Sequence, residues 1–275
     1  MPELPEVETV LHGLKPHIEG AIIQDVVVRH YQLRWPIPST LQENLRQQPV
    51  GQLSRRGKYL LMPLKTGTLI MHLGMSGSLR IVTLATPLKP HDHVDIIFSE
   101  KTILRYSDPR RFGALLWTDE NPYHHVRLKS LGVEPLDLLF TAQYLMQKAA
   151  SRRIAIKSFI MDNKVVVGIG NIYAAEALFF ARIHPATPAG LLTHAEYQTL
   201  VESIKKVLQS AIEQGGTTIK DFVNSEGKPG YFTQQLAVYG RAGLHCIRCQ
   251  APLQSFKLGA RSTVFCAHCQ SPVKA

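Results

Sequence analysis

Pro2, Glu3, Pro5 and Glu6 open the chain in the run Met1-Pro2-Glu3-Leu4-Pro5-Glu6-Val7-Glu8. Once Met1 is removed, Pro2 carries a free secondary amine. Such an amine attacks a carbon at the aldehyde oxidation level and gives an iminium ion, an electron sink of the Schiff-base type. An α-amine titrates near ~8, so part of it is neutral at physiological pH. Glu3 and Glu6 supply carboxylates for proton transfer beside it. The same residues also suit an ordinary helix start, Pro because it has no N–H to lose and Glu because it meets the positive end of the dipole. The rest of the chain decides between these readings.

The four cysteines, Cys246, Cys249, Cys266 and Cys269, all lie near the C-terminus as two C-x2-C pairs with sixteen residues between them. Each pair can sit on a tight turn and offer two thiolates to one tetrahedral metal. The spacing predicts one structural zinc with a closed ligand set, in preference to two disulfides in a reducing compartment. His245 and His268 then stand beside the site without ligating.

The 275 residues suit one large domain or two medium ones. Lys and Arg outnumber Asp and Glu 31 to 21, a net charge of +10, and the pI is about 9.5. A balance this basic points to a polyanion, nucleic acid first. No apolar run approaches the roughly 20 residues of a membrane span, and the acidic N-terminus lacks a signal-peptide layout. The expected partner is a nucleic acid in the cytoplasm.

The elements that must position these residues follow from periodicity. Val7, Val10, Leu11, Leu14 and Ile18 form one stripe of a helix over 5–18. If its first turn reaches back far enough, Glu3 and Glu6 share a face. Short β-rich runs follow at 21–28, 59–64, 68–73, 79–83, 94–99, 102–106 and 114–117, the spacing of a β-sandwich or barrel. The strand pattern stops at 131–138. Helical patterns follow at about 141–149, 152–161, 171–182 and 194–213, then a Gly-rich polar stretch before the cysteines. The expected domains are 1–133, 139–240 and a cysteine module at 241–275.

Five stretches could serve a nucleic acid. Lys58 lies in Arg55-Arg56-Gly57-Lys58-Tyr59. Met75 tips the turn His72-Leu73-Gly74-Met75-Ser76-Gly77, and Arg110 and Phe112 lie in Asp108-Pro109-Arg110-Arg111-Phe112-Gly113. Met75 and Phe112 either tuck back into the core or act as apolar wedges in a base stack, with Arg filling the gap. Asn171 is placed to cap a helix whose exposed N–H groups favour phosphate. Arg261, between the cysteine pairs, is either a solvated arginine or a phosphate clamp.

Taken in order, these stretches resemble the formamidopyrimidine-DNA glycosylases, also called 8-oxoguanine DNA glycosylases, bacterial enzymes of base-excision repair. The match includes Pro-Glu-Leu-Pro-Glu-Val-Glu, Arg-Gly-Lys-Tyr, His-Leu-Gly-Met-Ser-Gly and Asp-Pro-Arg-Arg-Phe-Gly. It continues through Asp-Asn-Lys-Val-Val-Val-Gly-Ile-Gly-Asn-Ile-Tyr, Gln-Gly-Gly-Thr-Thr-Ile-Lys-Asp-Phe, Gly-Lys-Pro-Gly-Tyr-Phe and the four cysteines. Leu4 favours this branch over the sister endonuclease VIII enzymes, which usually open Pro-Glu-Gly-Pro-Glu. Ser158, where relatives often have Pro, is a minor departure.

The resemblance implies an α+β multidomain fold: an N-terminal β-sandwich with an N-terminal helix, then a helix-two-turns-helix domain with a four-Cys β-hairpin zinc finger. It implies a bifunctional DNA glycosylase and AP lyase that excises 8-oxoguanine and formamidopyrimidines and cleaves the strand by β,δ-elimination. Pro2 would be the nucleophile, Glu3 the proton shuttle and Glu6 the frame, with Lys58 and Arg261 in the catalytic set. His91, Arg110, Lys157, Asn171 and Tyr239 would bind DNA. Met75, Arg110 and Phe112 would be the wedge, and Thr217, Thr218, Lys220 and Tyr231 would belong to a loop capping the extruded base. The expected partner is duplex DNA with oxidised purines or abasic sites. One structural Zn2+, no small-molecule cofactor and a monomer complete the picture. A catalytically inactive damaged-DNA-binding protein on the same scaffold is the alternative.

Overall fold

The computed structural model describes residues 2–216 and 236–271. They form two compact units, one built on 2–130 with 214–216, the other on 131–213 with 236–271.

The first unit is a helix on a two-sheet sandwich. Helix α1 (Leu4–Ile18) buries Val7, Val10, Leu11, Leu14 and Ile18, each at most 4% exposed. That stripe recurs every three to four residues and supplies the helix's packing face. One sheet holds β1 (Asp25–Val28), β6 (Asp92–Ser99), β7 (Thr102–Ser107) and β5 (Ser78–Val82), in that order. The other holds β2 (Ser54–Arg56), β3 (Tyr59–Leu64), β4 (Gly67–His72) and β8 (Ala114–Thr118). All neighbours pair antiparallel. Leu60, Met62, Leu69 and Met71 from one sheet share a core with Val94, Ile96, Phe98, Leu104 and Tyr106 from the other, and with the α1 stripe. The two-residue spacing within each strand is the pleat presenting one face inward.

Register places the turns. Tyr59 pairs with His72, and His72 with Ala114. The Lys58 turn before β3, the Met75 turn after β4 and the Arg110–Phe112 turn before β8 therefore leave the same end of one sheet. In the other sheet Ser107 pairs with both Ser78 and Asp92, so His91 and Asp108 emerge at matching strand ends.

The second unit contains α3 (Ala142–Ala149), α4 (Ile156–Ile160), α5 (Asn171–Phe180), α6 (His194–Glu213) and a hairpin of β9 (Gln254–Leu258) and β10 (Arg261–Phe265). Helix α5 is buried nearly all round, from Ile172 to Phe179. The cysteine module shares its core: Ala175 and Phe179 pack with Cys246, Leu253, Val264 and Cys266. Arg248 donates to the carbonyls of Phe179 and Phe180, closing the C-terminal end of α5.

Several expectations change in detail. The first strand covers Asp25–Val28 rather than 21–28, because Ile22 makes only an isolated bridge to Pro49 and is 55% exposed. The helix expected over 152–161 is confined to Ile156–Ile160; Ser151, at φ 61°, and the exposed Arg152 and Arg153 cannot extend it. Helix α2 (Leu41–Leu45) and strand β2 were not foreseen, being too short to show a period.

Candidate active site

The start of α1 holds the candidate chemistry. Glu3 is the N-cap with extended backbone, not part of the helical turn. Glu3 and Glu6 therefore meet across a cap instead of sharing a helix face. Glu6, fully buried, accepts the Glu3 N–H at 2.7 Å. This is the reach-back half of a capping box. Pro2 is buried and Glu3 is 3% exposed. The backbone at Gly216, φ 79°, lies so close that an added Cβ would stand 3.1 Å from a Glu6 oxygen.

Lys58 sits in the two-residue turn between β2 and β3, where Gly57 has φ 57°. A hairpin of this length favours glycine at such an angle. The Lys58 side chain is only 8% exposed. Arg55 couples this turn to the N-terminal helix: it donates to Glu8 at 2.6 Å and to the Gly57 carbonyl at 2.8 Å. The His72 and Tyr59 rings meet at a tilt with centroids 4.7 Å apart, and His72 Nδ1 accepts the Gly74 N–H. Burial, then the charges of Lys58 and Arg34, lower its pKa to about 4, so the ring is neutral at physiological pH.

Met75 and Phe112 keep their tips exposed, at 37% and 42%. Neither side chain tucks back into the core. The Arg110 guanidinium lies 4.9 Å over the Phe112 ring. The Arg110 N–H donates to Ser76 Oγ, and Gly74 packs against the Phe112 carbonyl carbon. Met75, Arg110 and Phe112 thus form one cluster. His91, exposed and at φ 75°, joins its base: the Asp108 N–H donates to its carbonyl.

The second unit assembles another group. Asn171 is not the N-cap of α5; Gly170 is, and Asn171 is the first helical residue. Its Nδ2 donates to the Ser262 carbonyl at 3.1 Å. Gly170, with extended backbone, takes the cap, and the Asn171 amide is used across the unit. Lys157 is not a surface cation. It is 1% exposed, with Nζ 2.8 Å from Thr263 Oγ1. Lys157 and Asn171 both hold β10, whose first residue is the exposed Arg261. Tyr239 is half-buried and its N–H donates to Glu176. Thr217, Thr218, Lys220 and Tyr231 lie outside the described residues.

Three organising residues escaped sequence reasoning. Glu176 is fully buried and accepts the N–H groups of Ala237, Val238 and Tyr239 at 2.8, 2.9 and 2.8 Å. Asp108 is fully buried at the root of the Met75 and Arg110–Phe112 turns. Arg55 bridges Glu8 to the Lys58 turn. Only Glu176 left a legible signal, as the one acid in the apolar run Ile172–Phe180.

The four cysteine sulfurs all lie within 4.8 Å of one another, with Cys249–Cys266 at 3.5 Å and Cys246–Cys269 at 3.9 Å. Four thiolates at ~2.3 Å from one zinc stand about 3.8 Å apart, whereas a disulfide needs about 2.0 Å. The donor set fits one structural zinc, and no histidine joins it among the described residues.

One unit with a four-thiolate hairpin on helices, and another whose sandwich gathers a buried Pro2, acids and a basic-aromatic cluster, together define a DNA-repair glycosylase scaffold. Three family models match: the formamidopyrimidine-DNA glycosylase N-terminal domain over 1–115, its H2TH domain over 131–223, and the zinc finger found in FPG and IleRS over 243–272. Formamidopyrimidine-DNA glycosylase of Psychromonas ingrahamii is 54% identical, covering 98% of this chain and all of that protein. A crystal structure of a Lactococcus lactis FPG mutant with Fapy-dG-containing DNA superposes with a TM-score of 0.90 at 34% identity, over 98% of this chain and 100% of that one. A structure of MutM with carbocyclic 8-oxo-G-containing DNA gives 0.89 at 35%, with the same coverage. The chain belongs to the formamidopyrimidine-DNA glycosylase family. Among the described residues no helix is long and apolar enough to cross a membrane.

Proposed function

We propose that this enzyme removes oxidised purines from duplex DNA through the amine of Pro2 and then cleaves the strand. The observation that carries the reading is the buried Pro2–Glu3–Glu6 cap, in which Glu6 fixes the backbone beside the amine. Relatives bound to Fapy-dG and 8-oxo-G DNA support the substrate class.

After Met1 has been removed, the Pro2 nitrogen attacks C1′ of the damaged nucleoside and the C1′–base bond breaks. Glu3 gives a proton to the ring oxygen as the sugar opens, leaving an iminium at C1′. The iminium acidifies C2′–H; loss of that proton expels the 3′ phosphate by β-elimination. A second elimination expels the 5′ phosphate, and water releases the sugar fragment from Pro2. Extruding the base costs a few kcal/mol of unstacking, offset in part by Met75, Arg110 and Phe112 filling the gap.

Lys58, His91, Asn171, Tyr239 and Arg261 hold phosphates, which positions DNA without reading sequence. The burial of Lys157 supports an indirect part, in which it and Asn171 anchor the strand bearing Arg261. The protein acts as a monomer.

Borohydride reduction of the iminium tests the mechanism. The native enzyme should be trapped covalently on 8-oxoguanine or abasic DNA. Pro2→Gly should abolish most trapping and incision; a variant that traps and cleaves like the native enzyme removes the proline amine from the reaction.

A further inference from the structure

The two wedge-bearing turns are tied together at their roots. Asp108 is fully buried, and its two carboxylate oxygens are held by neutral donors. Its Oδ1 accepts the Ser76 hydroxyl at 2.8 Å, from the Met75 turn. Its Oδ2 accepts the Gly113 N–H at 2.8 Å and the Tyr106 hydroxyl at 3.1 Å, from its own turn and strand. Ser76 Oγ also accepts the Arg110 N–H at 3.2 Å, so the link between turns is double.

The surroundings leave this carboxylate little freedom. The Asp108 carbonyl lies 2.8 Å from His93 Nε2, and its N–H donates to His91. The Leu73 carbonyl accepts the Gly77 N–H and closes the Met75 turn. A Cβ on Gly113 would stand 1.9 Å from the Tyr106 hydroxyl, and one on Gly74 would stand 2.4 Å from the Phe112 carbonyl carbon. Exposed tips thus rise from roots that cannot move separately. A buried carboxylate with neutral donors is costly unless each oxygen is satisfied, and here each is.

We propose that Asp108 is a positioning residue that couples the two wedge turns, so that Met75 and Phe112 enter the base stack as one rigid device. This rests on the wedge role given above. Tied tips share one insertion event, so losing either already forfeits part of what the other contributes. Untied tips contribute independently, and their losses multiply.

The test is a double-mutant cycle in two backgrounds. Rapid mixing of the full-length protein with an 8-oxoguanine duplex carrying 2-aminopurine beside the lesion reads loss of stacking. Met75→Ala and Phe112→Ala should each slow the step, and with the tie intact the double variant should fall short of their product by about fivefold. Ser76→Ala cuts the link between turns but leaves Asp108 bonded to Gly113 and Tyr106. In that background the shortfall should vanish. Asp108→Asn, if it folds, should act in the same direction. A purely structural role would change thermal stability without changing the cycle. The inference is overturned if native-background losses multiply, or if the shortfall survives in Ser76→Ala. Native protein that fails to incise 8-oxoguanine DNA would instead overturn the proposed function.

Discussion

Glu176→Gln keeps shape and volume and changes only the chemistry of one buried group. The carboxylate accepts three backbone N–H groups, two on Oε1 and one on Oε2. An amide can place its oxygen on the Val238 and Tyr239 side. Its NH2 then faces the Ala237 N–H, donor against donor. A buried donor left without an acceptor costs about 1–3 kcal/mol, and bonds to a charged acceptor are worth more than bonds to a neutral one. Relief of desolvation offsets part of this, leaving a loss of roughly 2 kcal/mol. At about 2–4 °C per kcal/mol for a domain of this size, melting should fall by some 4–8 °C.

The pH dependence gives a second arm. Burial raises the Glu176 pKa above its ordinary value, against the three N–H bonds and Arg241, which lower it. A carboxyl with a raised folded pKa binds more protons folded than unfolded between the two values. Stability therefore falls as pH rises through that window. The native-minus-variant gap should widen as pH drops toward about 4.5 and shrink toward neutrality. Melting curves from pH 4.5 to 8 read both arms. A variant melting within 1 °C of native, or a gap that widens with rising pH, refutes the reasoning.

Three further outcomes follow. Gly113→Ala should destabilise the first unit by more than about 3 kcal/mol, since its Cβ would lie 1.9 Å from the Tyr106 hydroxyl and 2.6 Å from the His72 carbonyl; an unchanged denaturation midpoint would contradict the packing. His72, neutral in the fold down to about pH 4, takes up a proton on unfolding below about 6.5. The fold should thus lose up to about 3 kcal/mol between pH 6.5 and 4, and His72→Gln should flatten that limb of the acid titration. Stripping zinc with a chelator should melt the core shared by Cys246, Cys266 and Phe179 and weaken DNA binding, with recovery on adding Zn2+; DNA affinity indifferent to chelation would dissociate the hairpin from binding.

The cysteine pairs, the α1 stripe and the strand runs were legible because each is a local pattern: a ligand spacing, a 3.6-residue period, a two-residue pleat. The turns carrying Lys58, Met75 and Phe112 were legible for the same reason. Which turns meet was not, because strand order and register join residues far apart in sequence, as Ser76 and Asp108 are joined across 32 positions. Burial likewise reassigns residue types. Lys157 is expected to bind DNA and is enclosed on Thr263, Asn171 reads as a cap and instead reaches Ser262, and Asp108 reads as a turn residue and is the root of two turns. Pro2 and its two glutamates announce themselves by type and position alone. That Pro2, Glu3 and Glu6 are buried, with Glu6 on the Glu3 N–H, depends on long-range packing, which sets desolvation and geometry for every charge in the site.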